Sequence, residues 1–88
     1  MSDLETLLND LANLDAQHDF DGLRRIRQTI VDKHPESDEA VEALYKLGVC
    51  YEHMKRVDEA LRLYHVVLEN FRSTQHAIQA AERIAATE

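Results

Sequence analysis

Glycine, proline and cysteine are scarce in this 88-residue chain, which has two glycines, one proline and one cysteine. Because turns draw heavily on glycine and proline, this scarcity favours helices joined by short loops. The lone Cys50 excludes an internal disulfide. No apolar run approaches the roughly 18 to 20 residues that cross a bilayer, so no membrane insertion is expected. The composition predicts one small all-α domain spanning residues 1–88.

Positive charge is also in short supply, with ten Lys and Arg against seventeen Asp and Glu, giving a net charge of −7. A nucleic-acid backbone or an anionic membrane would repel such a chain, whereas a basic protein partner would not. Residues 1–5 carry two acidic side chains where a secretory signal would be positive. These features predict a cytoplasmic protein if the sequence is the whole product, and they fit an excised domain equally well.

Apolar side chains recur at helical spacing, most clearly between residues 43 and 71. Two helices separated by a short polar bend each carry one apolar stripe there. The stripes are Leu44, Leu47, Gly48 and Tyr51, then Ala60, Tyr64, Val67, Leu68 and Phe71. A glycine within a helix costs about 1 kcal/mol relative to alanine, so Gly48 needs a packing reason. We expect the two helix backbones to approach closely at Gly48 and Ala60.

Capping and helix-breaking residues divide the chain into five predicted helices. They cover about residues 3–16, 20–33, 38–54, 57–70 and 74–86. The candidate N-caps are Ser2 with Glu5, Ser37 or Asp38, and Ser73 or Thr74. Pro35 ends the second helix. The predicted inner face of the fifth helix is Ala77, Ile78, Ala81, Ile84 and Ala85.

An internal repeat appears when the chain is shifted against itself by 37 residues without a gap. The pairs are Leu7 with Leu44, Leu14 with Tyr51, Phe20 with Val57, Leu23 with Ala60, Ile30 with Val67 and Ala40 with Ala77. A slip of one residue in the second helix, which places Gly22 under Ala60, fits nearly as well. Both registers remain open from the sequence.

The helix pair around Gly48 resembles a tetratricopeptide repeat, whose signature runs aromatic, Leu-Gly and Tyr, then Ala, an aromatic and a late Pro. The matching positions are Leu44 in place of Trp, Leu47, Gly48, Tyr51, Ala60, and Tyr64 in place of Phe. The departures are Lys55-Arg56, where the family favours Gly-Asp, and Arg72, where it favours Pro. The resemblance implies antiparallel helical hairpins stacked as a short right-handed solenoid of about five helices.

The same resemblance implies a non-catalytic protein–protein interaction module, acting as an adaptor, chaperone or assembly factor. In this family the first helix of each hairpin lines a groove that receives a peptide or a helix. The positions carried over are Glu5, Leu8, Asn9, Ala12, Glu42, Tyr45, Lys46, Val49, Glu52, His53, Gln79, Glu82 and Arg83. Leu8, Tyr45 and Val49 would be apolar anchors. Glu42, Glu52 and Glu82 would favour a basic partner. An ordinary solvated face is the alternative for the polar positions.

Structural self-association is a second hypothesis, because repeat proteins need roughly three units and this chain offers about two and a half. The first helix carries an apolar face wider than one packing partner requires. Its residues are Leu4, Leu7, Leu8, Leu11 and Leu14. This face would bind a second copy in a homo-oligomer, either a symmetric dimer or a head-to-tail stack.

Catalytic motifs are missing from the sequence, which has no Gly-rich phosphate loop and no His-Glu-x-x-His. We therefore predict no enzyme activity, cofactor or metal. Cys50 is predicted to be a small buried side chain rather than a nucleophile. A loop metal site at His18, Asp19 and Asp21 is a less favoured alternative to a merely polar loop.

The second helix carries the only basic cluster in the sequence, formed by Arg24, Arg25 and Arg27. It is either a patch for an acidic peptide or a solvated outer face paired with nearby carboxylates. The second interpretation is favoured by the sequence.

Overall fold

Five α-helices form the computed structural model of the chain, which describes residues 3–87. They are α1 (Asp3–Ala16), α2 (Phe20–Lys33), α3 (Asp38–His53), α4 (Val57–Asn70) and α5 (Gln75–Thr87). No strand occurs within these residues. The all-α prediction is confirmed, and each predicted helix boundary lies within one residue of the observed one. The predicted cap at Ser2 lies outside the described residues.

The second hairpin repeats the first at an offset of 37 residues. The first and last residues of α4 lie 37 positions after those of α2. The two hairpin turns have the same offset, because His18 and Lys55 both have positive φ values, of 56° and 64°. Matching backbone bonds close the turns: Asp19 N–H to Leu14 C=O and Arg56 N–H to Tyr51 C=O. The ungapped register is therefore correct and the one-residue slip is wrong.

Hydroxyl caps at equivalent positions begin α3 and α5. The Ala40 N–H donates to Ser37 Oγ over 3.1 Å, and the Ala77 N–H donates to Thr74 Oγ1 over 3.2 Å. Each hydroxyl also donates to a backbone carbonyl three residues earlier. Ser37 and Thr74 are thus the caps among the predicted pairs of candidates. Asp19 is a further cap, which was not predicted from the sequence: its Oδ1 accepts a hydrogen bond from the Gly22 N–H over 3.0 Å.

Helix α3 lies at the centre of the fold and packs against α2, α4 and α5. One buried cluster joins α3, α4 and α5, and consists of Val41, Leu44, Ala60, Tyr64, Val67, Ala77, Ala80 and Ile84. A second joins α1, α2 and α3, and consists of Leu7, Ile30, Ala40 and Ala43. Helix α3 contributes to both clusters, so it links the two halves of the protein.

The predicted inner face of α5 is partly wrong. The buried stripe is Ala77, Ala80 and Ile84, whereas Ile78 is 62% exposed and Ala85 is exposed. The predicted face and the observed stripe both have the three- and four-residue spacing of a helix, so the sequence pattern does not distinguish them. Packing against α4 buries the stripe that contains Ala77 and Ala80. Ile78 consequently points into solvent.

Gly48 makes room for the Tyr64 ring. A Cβ atom at Gly48 would lie 2.5 Å from Tyr64 Cε1, and its three nearest atoms would all belong to that ring. The ring is fully buried. The predicted close approach therefore occurs at Gly48, but the group that meets it is an aromatic side chain from α4 rather than the backbone at Ala60, although Ala60 is itself fully buried.

We expect Gly48→Ala to lower the free energy of unfolding by about 1–3 kcal/mol, because overpacking outweighs the gain of about 1 kcal/mol in helix propensity. Urea denaturation followed by circular dichroism measures this. In a Tyr64→Leu background, the same substitution should leave the free energy of unfolding unchanged or raise it by up to about 1 kcal/mol, since the clash is gone and the gain in helix propensity remains. Equal costs in both backgrounds would contradict the contact.

We expect Lys55→Gly to raise the free energy of unfolding by about 0.5 kcal/mol. Lys55 has a left-handed backbone conformation that is unfavourable for a residue with a Cβ atom, whereas glycine adopts it freely. The entropy that glycine adds to the unfolded chain reduces the gain. The control is Arg62→Gly, within α4, which should lose about 1 kcal/mol. A loss at Lys55 equal to that at Arg62 would contradict the explanation.

Candidate functional site

A narrow cleft separates α1 from α3. Its volume is about 40 Å³, and it is lined by Leu8, Leu11, Arg27, Ile30, Glu39, Glu42, Ala43 and Lys46. Three of these residues, Leu8, Glu42 and Lys46, are predicted groove positions. Lys46 Nζ lies 3.5 Å from Glu42 Oε1, so the wall contributed by α3 carries both charges.

A wider cleft lies between the first turns of α3 and α5. Its volume is about 320 Å³, and it is lined by Asp38, Glu39, Val41, Glu42, Thr74, Gln75 and His76. Glu39 and Glu42 line both clefts, so the two adjoin across the first half of α3. We call the two clefts together the groove. Its α3 wall is acidic, through Asp38, Glu39 and Glu42.

Most residues of the wider cleft were not predicted. The repeat register contained a signal for them, because Asp38 and Gln75, like Glu39 and His76, are 37 residues apart and begin equivalent helices. The family pattern instead places the binding positions mainly in the middle of each helix. Only the packed structure shows that the open space lies beside the first turns.

Tyr45 is covered by α4 and α5 rather than standing free in the groove. Its ring stacks on His76 at a centroid distance of 6.0 Å and lies 5.7 Å from the ring of Tyr64. Val49 also packs against the larger buried cluster. Two of the three predicted apolar anchors therefore contribute to the core, and Tyr45 is half-buried beside His76, which lines the wider cleft.

Glu52 and Arg83 form an ion pair that is completed by Tyr64. The Tyr64 hydroxyl donates to Glu52 Oε1 over 2.5 Å, and Arg83 Nε donates to the same oxygen over 3.0 Å. Arg83 Nη2 donates to the other carboxylate oxygen. The three side chains come from α3, α4 and α5, so the cluster ties those helices together. Glu52 is consequently not a free charge for a basic partner.

The cluster shifts the pKa values of its members. The Arg83 hydrogen bond holds the pKa of Glu52 below its ordinary value, and the Tyr64 hydroxyl acts in the same direction. Burial raises the pKa of Tyr64, and the adjacent Glu52 carboxylate raises it further. The hydrogen bond to Glu52 raises the pKa of Arg83. The cluster therefore keeps Glu52 and Arg83 charged and Tyr64 neutral at pH 7.

The remaining predicted positions do not line the groove. Asn9 and Ala12 are exposed on α1, and Glu82 is exposed on α5. Gln79 is half-buried and lies 3.2 Å from the His76 ring through its Oε1. His53 lines a different cleft, at the end of the molecule where α2 begins.

The leucines of α1 pack into the protein itself. Leu7 is buried, and Leu4, Leu8 and Leu11 pack against the cluster around it. Leu14 is half-buried, so none of the five leucines is exposed. Intramolecular packing thus covers most of the surface that the self-association hypothesis assigned to a second copy.

The loop considered for a metal has other partners. Asp19 caps α2, and Asp21 Oδ1 lies 3.8 Å from Arg24 Nη2. Within residues 3–87, no three His, Cys, Asp or Glu side chains are grouped so as to hold a metal ion.

None of the described helices is long and apolar enough to cross a membrane.

Cys50 is half-buried, not buried as predicted. Its Sγ lies 3.8 Å from Arg27 Nη1, and the side chain lines the cleft that also contains His53. The end of α3 is less covered by its neighbours than the middle of the helix, which explains the partial exposure.

We expect Glu52→Gln to lower the free energy of unfolding by about 1 kcal/mol at pH 7, since it weakens hydrogen bonds to a charged, partly exposed group. The folded pKa of Glu52 is depressed, so its contribution is complete above the ordinary value of 4.5 and disappears as the pH falls through the folded value. Denaturation of both proteins between pH 7 and pH 3 should therefore show converging stabilities at low pH.

The control for this experiment is Glu69→Gln, at an exposed position of α4. Its effect should be small at every pH, because it removes no member of the cluster. A difference between the Glu52 variant and the original protein that stays constant down to pH 3 would contradict the assigned role.

A family model described as tetratricopeptide repeat matches residues 42–74. The matched stretch covers most of α3, all of α4 and the turn that follows, which is less than half of the chain. No curated protein and no solved structure matches the chain. The family match and the second copy of the same hairpin, 37 residues earlier, identify the chain as a tetratricopeptide-like helical repeat protein.

Proposed function

We propose that this protein is a non-catalytic interaction module that holds a segment of a partner protein in the groove between α1, α3 and α5. Tetratricopeptide repeats generally mediate protein–protein interaction. The observation that carries the proposal is the meeting of the two clefts at Glu39 and Glu42. An adaptor, a chaperone and an assembly factor would each use such a surface.

The charge of the groove favours a basic partner segment. Asp38, Glu39 and Glu42 lie along α3, and the side chain of Glu42 is 51% exposed beside Lys46. Pairs exposed to this degree are weak, so a Lys or Arg of the partner can compete with Lys46 for the carboxylate. Complementary charge of this kind mainly speeds association and selects among partners.

The two clefts would have different tasks. The space of about 320 Å³ between α3 and α5 admits side chains of the partner, and Val41 gives it an apolar floor. The space of about 40 Å³ between α1 and α3 is too narrow for that and offers the half-buried Leu8 and Leu11 as a shallow contact. The partner's basic side chains are therefore assigned to the α3–α5 cleft, and its apolar side chains to the strip formed by Leu8 and Leu11.

We expect a random 12-residue peptide library, selected on the immobilised protein, to yield peptides rich in Lys and Arg that depend on the groove. Removing two groove charges by Glu39→Gln with Glu42→Gln should weaken their binding about tenfold at low salt, because two complementary charges are lost. Fluorescence anisotropy measures the affinity of each selected peptide.

The matched control is Asp32→Asn with Glu69→Gln, which removes two exposed charges from α2 and α4. It changes the net charge equally but leaves the groove intact, so binding should be nearly unchanged. Equal weakening in both double variants would show that net charge alone attracts the peptides, and would contradict the proposed groove.

A further inference from the structure

We propose that the end of the molecule where α2 begins and α3 ends is a second binding site, for a partner protein segment that carries an apolar side chain next to a carboxylate. This site goes beyond the groove, since no residue lines both surfaces. We call it the apolar edge, formed by Phe20, Arg24, Cys50, Met54 and Val57.

Exposed apolar side chains concentrate at this edge. Phe20 is 70% exposed, Met54 is 45% exposed and Val57 is 38% exposed. Among the described residues only one other large apolar side chain, Ile78, is comparably exposed. Contiguous exposed apolar surface is uncommon on soluble domains and typically marks an interaction site. Phe20 and Val57 begin the equivalent helices α2 and α4, so the repeat itself places them along the same edge.

A cleft of about 430 Å³ opens between the exposed side chains. Phe20, Asp21, Arg24, Cys50, His53 and Met54 line it. Its volume is within the range of about 300–1,000 Å³ that is usual for ligand pockets. An apolar side chain of the partner therefore has room to enter between Phe20 and Met54.

Arg24 is the reason that we assign a carboxylate to the partner segment. Its Nε is buried and has no hydrogen-bond partner, while its Nη2 lies 3.8 Å from Asp21 Oδ1. A buried donor without an acceptor is unfavourable, and a carboxylate that bridges Nε and Nη satisfies both at once. The Arg24 side chain is 35% exposed and lines the cleft, so its guanidinium is accessible from there.

Asp21 does not already fill this role. Its side chain is 82% exposed, and its distance from Arg24 is longer than a hydrogen bond. Arg27 adds a second cation beside Cys50, over 3.8 Å from Nη1 to Sγ. Within the basic cluster, Arg24 and Arg27 are half-buried and Arg25 is exposed. Arg24 lines this cleft, whereas Arg27 lines the narrow cleft of the groove and approaches this one only through Cys50. Arg24 and the nearby Arg27 outnumber Asp21, the one carboxylate that lines this cleft, so the charge here favours an acidic group, in contrast to the acidic groove.

The shape of the edge favours a protein segment over a small molecule. A small ligand in the cleft would cover the inner sides of Phe20 and Met54 and leave their outer sides, and Val57, in water. A peptide that lies across the end of the molecule covers all three. Aromatic residues, Met and Arg are also the types enriched at the centres of protein interfaces.

The experiment is a selection of random 12-residue peptides on the immobilised protein, with Arg24→Gln and Phe20→Ser variants selected in parallel. We expect the original protein to enrich peptides that pair an apolar residue with a neighbouring Asp or Glu, and both variants to bind these peptides about tenfold or more weakly. Absence of this class from the original protein's selection would overturn the proposal.

Matched variants separate the site from general effects. Arg25→Gln makes the same charge change one residue away on an exposed position, and Ile78→Ser removes another exposed apolar side chain. Both should bind the selected peptides as the original protein does. Equal losses in Arg24→Gln and Arg25→Gln would overturn the proposal, and circular dichroism verifies that each variant is folded.

Alkylation of Cys50 measures whether the cleft of the apolar edge is occupied, in the protein without any substitution. Cys50 is the only cysteine in the sequence and it lines the cleft, so a bound acidic peptide should slow its alkylation by N-ethylmaleimide severalfold. An unchanged rate at saturating peptide would place the binding elsewhere and overturn the site. The groove variant with Glu39→Gln and Glu42→Gln should keep this protection, so failure of one proposal is distinguishable from failure of the other.

Discussion

The ring of Tyr64 lies over Gly48, and the relative positions of three helices depend on that contact. The absence of a side chain at Gly48 lets the ring bury completely, and the ring carries its hydroxyl to the last turn of α3. There Glu52 accepts a hydrogen bond from the hydroxyl and also binds Arg83 of α5. An aromatic body with a polar end suits this task, because it contributes both packing and a directed hydrogen bond. One side chain of α4 thereby fixes both neighbours.

This arrangement matters because the protein is small. A chain of this length buries only about 60–65% of the surface of its unfolded form, so its stability rests on few interactions. The larger buried cluster includes Tyr64 and joins α3, α4 and α5, while α1 is held to the rest by the smaller cluster around Leu7. The leucines of α1 are used for that attachment. Leu7 is thereby buried, and the other four are partly covered.

Charge is distributed so that two surfaces of the domain differ in sign. The groove presents the carboxylates of Asp38, Glu39 and Glu42 near the start of α3, whereas Arg24 of α2 lines the separate cleft beside the end of α3. Opposite preferences at separate sites would let one small module connect two different partner segments. A single partner that carried both kinds of segment would gain affinity from their linkage.

Much of this fold could be predicted from local sequence. Caps such as Ser37, the break at Pro35 and the spacing of apolar residues determined where five helices begin and end, because these signals act within one or two turns. The signature around Gly48 identified the hairpin. The groove was less predictable. Leu8, Glu42 and Lys46 do lie together, but Tyr45 and Val49 pack into the core, and the carboxylate of Glu52 is paired.

The sequence by itself determined the helices, the repeat of 37 residues and the need for a small residue at Gly48, since each follows from spacing along the chain. Only the tertiary structure decided which group meets Gly48, which carboxylates stay free, and where open space remains. Those outcomes depend on contacts between residues far apart in sequence, such as Glu52 with Arg83, and on which stripe of α5 turns inward. Helical periodicity predicts the buried face of a helix only to within about one residue, and packing against neighbouring helices determines which residues are buried.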